Sequence, residues 1–134
     1  THLFTLPYKL LEAVGQVLWA DDEAQMDAVT ALSGSGPAYV FHFIEALESA
    51  GRSLGFDEAG ARRLAIDTVL GAARLAAGSE DAPAVLRQKV TSKGGTTEAA
   101  LASLAAAGWH DELVAAVQAA EARGRELGAE LGKD

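Results

Sequence analysis

The spacing of apolar residues from Asp21 onward is the feature that most constrains the fold. These residues recur every three or four positions in long blocks, which is the period of amphipathic helices, and glycine or proline separates the blocks. A strand would need alternation with a period of two, so we predict an all-α fold for residues 21–134. The boundaries of six predicted helices are marked by Pro37, Gly55, Asp57, Ala77, Gly78, Asp81, Pro83, Gly108 and Asp111, with Asp81 and Asp111 as side-chain caps.

Residues 1–20 have a different texture. The stretch "THLFTLPYK" is irregular and apolar, "LLEAVG" has helical spacing, and "QVLWA" resembles a short strand. A lone strand leaves its backbone donors and acceptors unpaired. We therefore predict that this segment is the edge of a neighbouring domain, distinct from the helical domain that follows it.

The composition excludes several kinds of partner. The chain has 134 residues, the size of a single compact domain, and its 19 acidic and 11 basic residues give a net charge of −8. That charge repels a phosphate backbone, so nucleic acid is not an expected partner. The sequence contains neither a cysteine nor an apolar run approaching the roughly 20 residues of a membrane span. We expect a cytoplasmic protein without a membrane segment.

The last predicted helix has an apolar seam that is rich in small residues. Its members alternate spacings of four and three residues: Leu113, Val117, Ala120, Gly124, Leu127 and Leu131. Small side chains let two helix backbones approach closely, either within one chain or between two chains. We favour helices interleaved with a second copy, because an obligate dimer interface resembles a domain core cut in half.

The histidines give no strong metal-binding pattern. His42 and Glu45 lie three residues apart on one helical face, but a metal site in a helical bundle needs several more inward ligands. The only other histidines are His2 and His110. We therefore expect no metal site and interpret His42 as a surface residue.

The corner "SGSGPAY" between the first two predicted helices allows two interpretations. Its glycines resemble a dinucleotide-binding fingerprint, but Tyr39 stands where a third glycine or alanine belongs, and a helix precedes it. It also lacks the strand-turn-helix elbow that would make Ser33 or Ser35 a nucleophile. Gly34 and Gly36 either supply unusual backbone angles or let a flat ligand ring approach bare backbone. Both interpretations stay open at this point.

The loop within "KVTSKGGTTEAAL", residues 89–101, carries the strongest chemical pattern. Gly94 and Gly95 let successive amides converge with those of the helix that begins near Thr97, an arrangement that favours an anion. Thr96 or Thr97 could also serve only as the helix cap. Hydroxyl residues on both sides of the glycines exceed what a cap requires, and the phosphate-loop spacing G-x-x-x-x-G-K-[ST] is not present. We therefore predict a small carboxylate as the ligand.

Three segments together resemble one known family. In order and spacing, "MDAVTALSGSGPAYVFHFIEAL", "GARRLAIDTVLGAARL" and "LRQKVTSKGGTTEAALASL" are similar to the C-terminal helical domain of the pyrroline-5-carboxylate reductases. The resemblance runs from about Leu10 to Leu131. It implies an all-α bundle like the C-terminal domain of 6-phosphogluconate dehydrogenase, interleaved with a second chain into a homodimer that often assembles further.

The same resemblance implies an activity and a missing partner domain. Members of the family reduce pyrroline-5-carboxylate to L-proline, the last step of proline biosynthesis, with NADPH or NADH bound by an N-terminal Rossmann domain. Residues 1–20 would then be a remnant of that domain, or an end of artificial or rearranged origin. A second hypothesis, that the chain is a dimerisation module without activity of its own, is compatible with the first. A ligand-free helical adaptor is less favoured because it would not need the glycine-threonine loop.

Individual positions also acquire roles from the resemblance. Thr97 matches the catalytic threonine whose hydroxyl meets the ring nitrogen of the substrate. The implied substrate-binding positions are Glu80, Ser92, Gly94, Gly95, Thr96 and Thr97, and the implied cofactor-binding positions are Ser35, Gly36, Pro37 and Ala38. Glu80 matches only some members, and Lys93 departs from the proline that is common at its position. Because an imine nitrogen can arrive protonated, a hydroxyl is sufficient to orient it, and no strong acid is needed.

Overall fold

The computed structural model describes residues 23–132, and every regular element in that range is helical. The elements are α1 (Glu23–Val29), a π-helical turn (Thr30–Gly34), α2 (Gly36–Ser53), α3 (Glu58–Ala77), α4 (Pro83–Lys89), α5 (Thr96–Ala106) and α6 (Trp109–Gly132). The all-α prediction is confirmed for this part of the chain, in which no helix is long and apolar enough to cross a bilayer. The predicted helix and strand in "LLEAVGQVLWA" lie outside the described residues.

Most predicted helix boundaries are confirmed. Gly55 and Gly108 follow α2 and α5 with φ angles of 104° and 74°, in the left-handed region where a helix commonly ends. Asp57 caps α3, because its carboxylate accepts a hydrogen bond from the Gly60 N–H at 2.7 Å. The same helix ends directly before Gly78.

Two predicted caps are wrong. The carboxylate of Asp81 pairs with the ammonium group of Lys89 at 2.5 Å, whereas the residue at the cap position of α4 is Ala82. α4 begins instead with a proline at its first position, whose missing N–H needs no acceptor. Asp111 is not a cap either, since α6 begins at Trp109 and places Asp111 inside its first turn. There its charge is still stabilised by the positive end of the helix macrodipole.

The chain divides into two compact units. The first includes the described residues 23–39 and 110–132 and joins α1 to most of α6. Its buried residue is Ala31, which is 2% exposed. Gly124 lies so close to Asp27 that an added Cβ would be 3.4 Å from the carboxylate oxygen. The predicted small-residue position at Gly124 is therefore a close contact between helices within this unit.

The second unit, residues 40–109, is organised by the packing of α2 against α3. A Cβ added to Gly51 would lie only 3.1 Å from the Cβ of Ala61, so glycine is what permits this approach. Across the same pair, Glu48 accepts a hydrogen bond from the Arg62 Nε at 2.6 Å. This hydrogen bond and the negative charge of Glu48 raise the pKa of Arg62.

Large apolar side chains remain mostly uncovered by the single chain. Within the described residues, the buried apolar residues are three alanines: Ala31, Ala61 and Ala65. Leu54 is 79% exposed and Leu75 71% exposed, although both belong to the apolar stripes of their segments. Within residues 23–132, the buried apolar residues are thus only alanines, and many large apolar side chains stay in solvent, which is unusual for a folded domain of this size.

Candidate functional site

The glycine-threonine loop forms a tight turn between α4 and α5. The Gly95 N–H donates to the Ser92 carbonyl at 3.0 Å and closes the turn. Gly94 has a φ of 77°, whereas none of the described non-glycine residues, Lys93 included, has a positive φ. This combination is that of a type II turn, in which the third position requires glycine and the second favours proline. Lys93 therefore occupies the turn position that suits proline, and the turn forms although no proline is present there.

The second glycine is required for space. Gly95 has an extended backbone, and a Cβ added there would lie 3.3 Å from the Ser92 carbonyl oxygen. Such a contact is tighter than ordinary van der Waals packing, so a side chain would push the turn open. Gly94 is thus required for its backbone angle, whereas Gly95 is required because a side chain there would be too close to Ser92.

The first turn of α5 presents backbone amides that have no acceptor in the described part of the chain. The helix begins at Thr96, its N-cap is Gly95, and the first amide with an intrahelical acceptor is that of Ala99, which donates to the Gly95 carbonyl at 3.2 Å. The amides of Thr96, Thr97 and Glu98 precede it and remain available, as helix geometry requires. Together with the macrodipole they favour an anion at this point.

The interpretation of the threonines as side-chain caps is wrong. No side chain caps α5, and Thr96 and Thr97 occupy its first two positions. Thr96 is exposed and Thr97 is half-buried. Their hydroxyl groups make no hydrogen bond with any described residue, which leaves both of them available to a ligand.

Glu98 is a site residue that the sequence interpretation missed. Its Oε1 accepts a hydrogen bond from the Gly94 N–H at 3.1 Å. Because the Gly95 amide is bonded to Ser92, both glycine amides of the expected cradle already have acceptors, and the open donors are those of the α5 first turn. The signal that could have identified Glu98 is its position three residues after the N-cap, where a glutamate commonly bonds back to the preceding loop.

Glu80 lies in the connection between α3 and α4. Its side chain is exposed and makes no ion pair or hydrogen bond with another described residue. Beside it, the Asp81 N–H donates to the Ser79 hydroxyl at 3.0 Å, which holds the connection in a local turn. The geometry of the connection therefore leaves the Glu80 carboxylate unpaired in this part of the chain.

The "SGSGPAY" corner begins with the π-helical turn. The Ser35 N–H donates to the Thr30 carbonyl at 2.7 Å, a five-residue bond that replaces the usual four-residue one. The Tyr39 hydroxyl donates to the Ala31 carbonyl at 2.8 Å, so the carbonyl of this buried residue is paired. Tyr39, which breaks the dinucleotide fingerprint in the sequence, here holds the corner together.

The glycines of the corner favour one of the two earlier interpretations. Neither Gly34 nor Gly36 has a positive φ, so the interpretation based on unusual backbone angles is wrong. A Cβ added to Gly36 would meet no atom within 4 Å. Open space beside bare backbone is what a flat ligand ring needs. This corner belongs to the first unit and the glycine-threonine loop to the second.

His42 behaves as the sequence predicts. Its side chain is 87% exposed and pairs with Glu45, with 3.3 Å between Nδ1 and Oε1. Among residues 23–132, no group of three or more histidine, cysteine, aspartate or glutamate residues is arranged to hold a metal ion.

Comparison with known proteins identifies the family. A family model for pyrroline-5-carboxylate reductase dimerisation matches residues 23–127. The pyrroline-5-carboxylate reductase of Pseudomonas aeruginosa is 52% identical over 125 residues, which cover 93% of this chain and 46% of the relative. That of Arabidopsis thaliana is 48% identical over 118 residues, covering 88% and 42%.

Solved structures agree with these relatives. A pyrroline-5-carboxylate reductase from Coxiella burnetii matches with a TM-score of 0.82 and 42% identity, over 95% of this chain and 47% of the other. A pyrroline carboxylate reductase from Plasmodium falciparum, solved with NADP bound, matches with a TM-score of 0.77 and 34% identity, over 80% and 41%. The chain thus spans somewhat less than half the length of these relatives. It belongs to the pyrroline-5-carboxylate reductase family, and residues 23–127 are its dimerisation domain.

Proposed function

We propose that this chain is the helical half of a pyrroline-5-carboxylate reductase, an oxidoreductase that reduces 1-pyrroline-5-carboxylate to L-proline with NADPH or NADH. The single observation that carries the proposal is the start of α5, where three successive amides have no acceptor among the described residues and two threonine hydroxyls stand beside them. Family membership supplies the substrate that this arrangement would fit.

In this proposal, the substrate carboxylate binds at the first turn of α5. The amides of Thr96, Thr97 and Glu98 supply directional donors, and the macrodipole favours the negative charge. The backbone of Ser92, Gly94 and Gly95 shapes the turn that leads into this position. Glu80 is exposed and unpaired in the described chain, which leaves it available to a polar group of the substrate.

Thr97 has the catalytic role in this proposal. Its half-buried hydroxyl would hydrogen-bond to the ring nitrogen, which must carry a proton once the C=N bond is reduced. The reduction adds one hydride to the ring carbon and leaves one proton on nitrogen, so atoms and charge balance without a strong acid. The protein contributes the position of the imine and the stabilisation of charge at nitrogen.

The residues of the "SGSGPAY" corner fit a nicotinamide cofactor, because Gly36 has open space where a Cβ would project. Ser35, Gly36, Pro37 and Ala38 would hold the nicotinamide, and NADPH or NADH supplies the hydride when it is bound. The main binding contacts of the cofactor would come from an N-terminal Rossmann domain. We assign residues 1–20 either to a remnant of that domain or to an end of artificial or rearranged origin. The helical domain is then residues 21–134.

We also propose that the helical domain interleaves with a second copy of itself. The exposed leucine and phenylalanine side chains support this, since solvent is an unfavourable surrounding for so many large apolar groups. We propose that a homodimer covers these side chains and that the chain is inactive without its Rossmann domain. The proposal extends to the assembly of dimers into a larger oligomer. A cytoplasmic location is proposed because the sequence has no cysteine.

The role of Thr97 can be tested in the full-length reductase that carries this domain. Thr97→Ala should lower kcat about 10- to 100-fold, the effect of losing one hydrogen bond to a charged group, whereas Thr97→Ser should retain most of the activity. Thr68→Ala removes the same atoms from α3, where the hydroxyl bonds the Leu64 carbonyl, and is the matched control. Near-normal turnover by Thr97→Ala would reject the catalytic role.

Whether cofactor binding and turnover require the separate Rossmann domain needs its own measurement. We expect the 134-residue chain alone to show neither NADPH binding by calorimetry nor turnover of 1-pyrroline-5-carboxylate. Activity of the isolated chain would contradict the assignment of the cofactor to a separate Rossmann domain.

A further inference from the structure

The loop that we assign to the substrate carboxylate already holds a carboxylate of the chain itself. Glu98 Oε1 accepts from the Gly94 N–H at 3.1 Å, and Glu98 sits in the first turn of α5, beside the open amides of Thr96 and Thr97. The Gly94 N–H points to this carboxylate from the third position of the type II turn, where Gly94 has its positive φ. The loop thus recognises the same chemical group that the substrate would bring.

This contact differs from an ordinary capping box. In a capping box, the glutamate at the third helical position bonds the amide of the N-cap residue. Here the N-cap amide, that of Gly95, is already bonded to the Ser92 carbonyl, and Glu98 reaches one residue further back. Gly94 and Glu98 are both exposed, so water competes for the contact and its net stabilisation is small. An incoming carboxylate can therefore displace it.

We infer that Glu98 is an internal competitor of the substrate carboxylate. It occupies the Gly94 amide when the loop is empty. A carboxylate ligand held by the α5 amides takes the Gly94 amide as a further donor and displaces Glu98 from it. Two carboxylates at one helix start also repel each other, so the charge of Glu98 lowers the affinity for the ligand. Lys93, in the same turn, supplies a positive charge that partly offsets this repulsion. The inference rests on the proposed function, because it assumes that the substrate carboxylate binds at this loop.

The test measures ligand affinity at the loop amides of the whole chain. L-proline is titrated while the amide NMR shifts of Gly94, Thr96 and Thr97 are followed, and pyrrolidine, which lacks the carboxylate, is the ligand control. Glu98→Gln removes the charge and keeps an acceptor, and Glu98→Ala removes both. The matched protein control is Glu112→Gln, which makes the same change of charge in the first turn of α6.

We expect Glu98→Ala to bind L-proline about 3- to 10-fold more tightly, the range that loss of one competing hydrogen bond allows. Glu98→Gln, which loses the charge but keeps the acceptor, should bind L-proline more tightly by a smaller factor. Glu112→Gln should bind as the unchanged chain does. In the full-length reductase, Glu98→Gln should lower KM for 1-pyrroline-5-carboxylate, whereas Glu112→Gln should leave KM as it is in the unchanged enzyme.

Two other outcomes separate the possible failures. Equal or weaker binding by both Glu98 variants would make Glu98 a structural cap and overturn the inference, while the carboxylate site would stand. Absence of loop shifts with L-proline in every variant would remove the carboxylate site, and the inference with it. Circular dichroism melting checks that the variants remain helical, and Glu98→Gln keeps the test valid if Glu98→Ala does not fold.

Discussion

The contact between α2 and α3 and the outer faces of the same two helices use their apolar residues in opposite ways. At the contact, Gly51 and Ala61 let the backbones approach, and Ala61 is 1% exposed. On the outer faces, Phe41 is 66% and Leu75 71% exposed. Small residues thus form the contact between the two helices, whereas the large residues, whose burial would contribute most of the hydrophobic free energy, remain available for contact with another surface.

Placing a charge on an outer face should have the largest effect. Phe41→Asp is expected to weaken the dimer by at least about 3 kcal/mol, because the lost side chain occurs twice in a symmetric interface and each burial contributes about 1.5–3 kcal/mol. Sedimentation velocity across a concentration series measures this. His42→Asp, at the adjacent exposed position, is the control and should remain dimeric.

The same experiment also tests the dimer itself. If the unchanged chain sediments as a monomer at every concentration, the interleaved architecture is excluded. If Phe41→Asp associates as tightly as the unchanged chain, the face around Phe41 does not belong to the interface.

Filling the closed contact should have the next largest effect. Gly51→Ala places a Cβ 3.1 Å from that of Ala61 and should lower the free energy of unfolding by about 1–3 kcal/mol, measured by urea denaturation. Gly128→Ala, in α6, adds the same methyl group where no atom lies within 4 Å and should raise stability by about 0.5–1 kcal/mol. If Gly128→Ala lowers the free energy of unfolding as much as Gly51→Ala does, the second copy packs against α6 at Gly128.

The smallest effect is expected in the first unit, where the Tyr39 hydroxyl donates a hydrogen bond to the Ala31 carbonyl. Tyr39→Phe leaves the Ala31 carbonyl without its donor and should cost about 1–2 kcal/mol of unfolding free energy. Ser53→Ala removes a comparable but exposed bond, from the hydroxyl to the Ala50 carbonyl, and should cost less than about 0.5 kcal/mol. Equal costs would mean that the Ala31 carbonyl finds water when the phenol hydroxyl is lost.

Local patterns accounted for the helices and for the position of the loop. The cap at Asp57, the glycine stops at Gly55 and Gly108, and the proline at the start of α4 all act within a few residues, so they can be recognised along the chain. The predicted cap at Asp81 failed for the opposite reason. Its carboxylate pairs with Lys89, eight residues away, and that partner is defined only once α4 has formed.

The sequence by itself determined that residues 23–132 are helical, which family the chain belongs to, and that two glycines flanked by hydroxyl residues precede α5. These features depend on periodicity, short-range sterics and residue identity. Only the tertiary structure decided which donors are open: Gly95 bonds Ser92, Gly94 bonds Glu98, and the helix amides remain. Hydrogen-bond partners depend on distance and angle in three dimensions, and neither quantity can be read from the order of the residues.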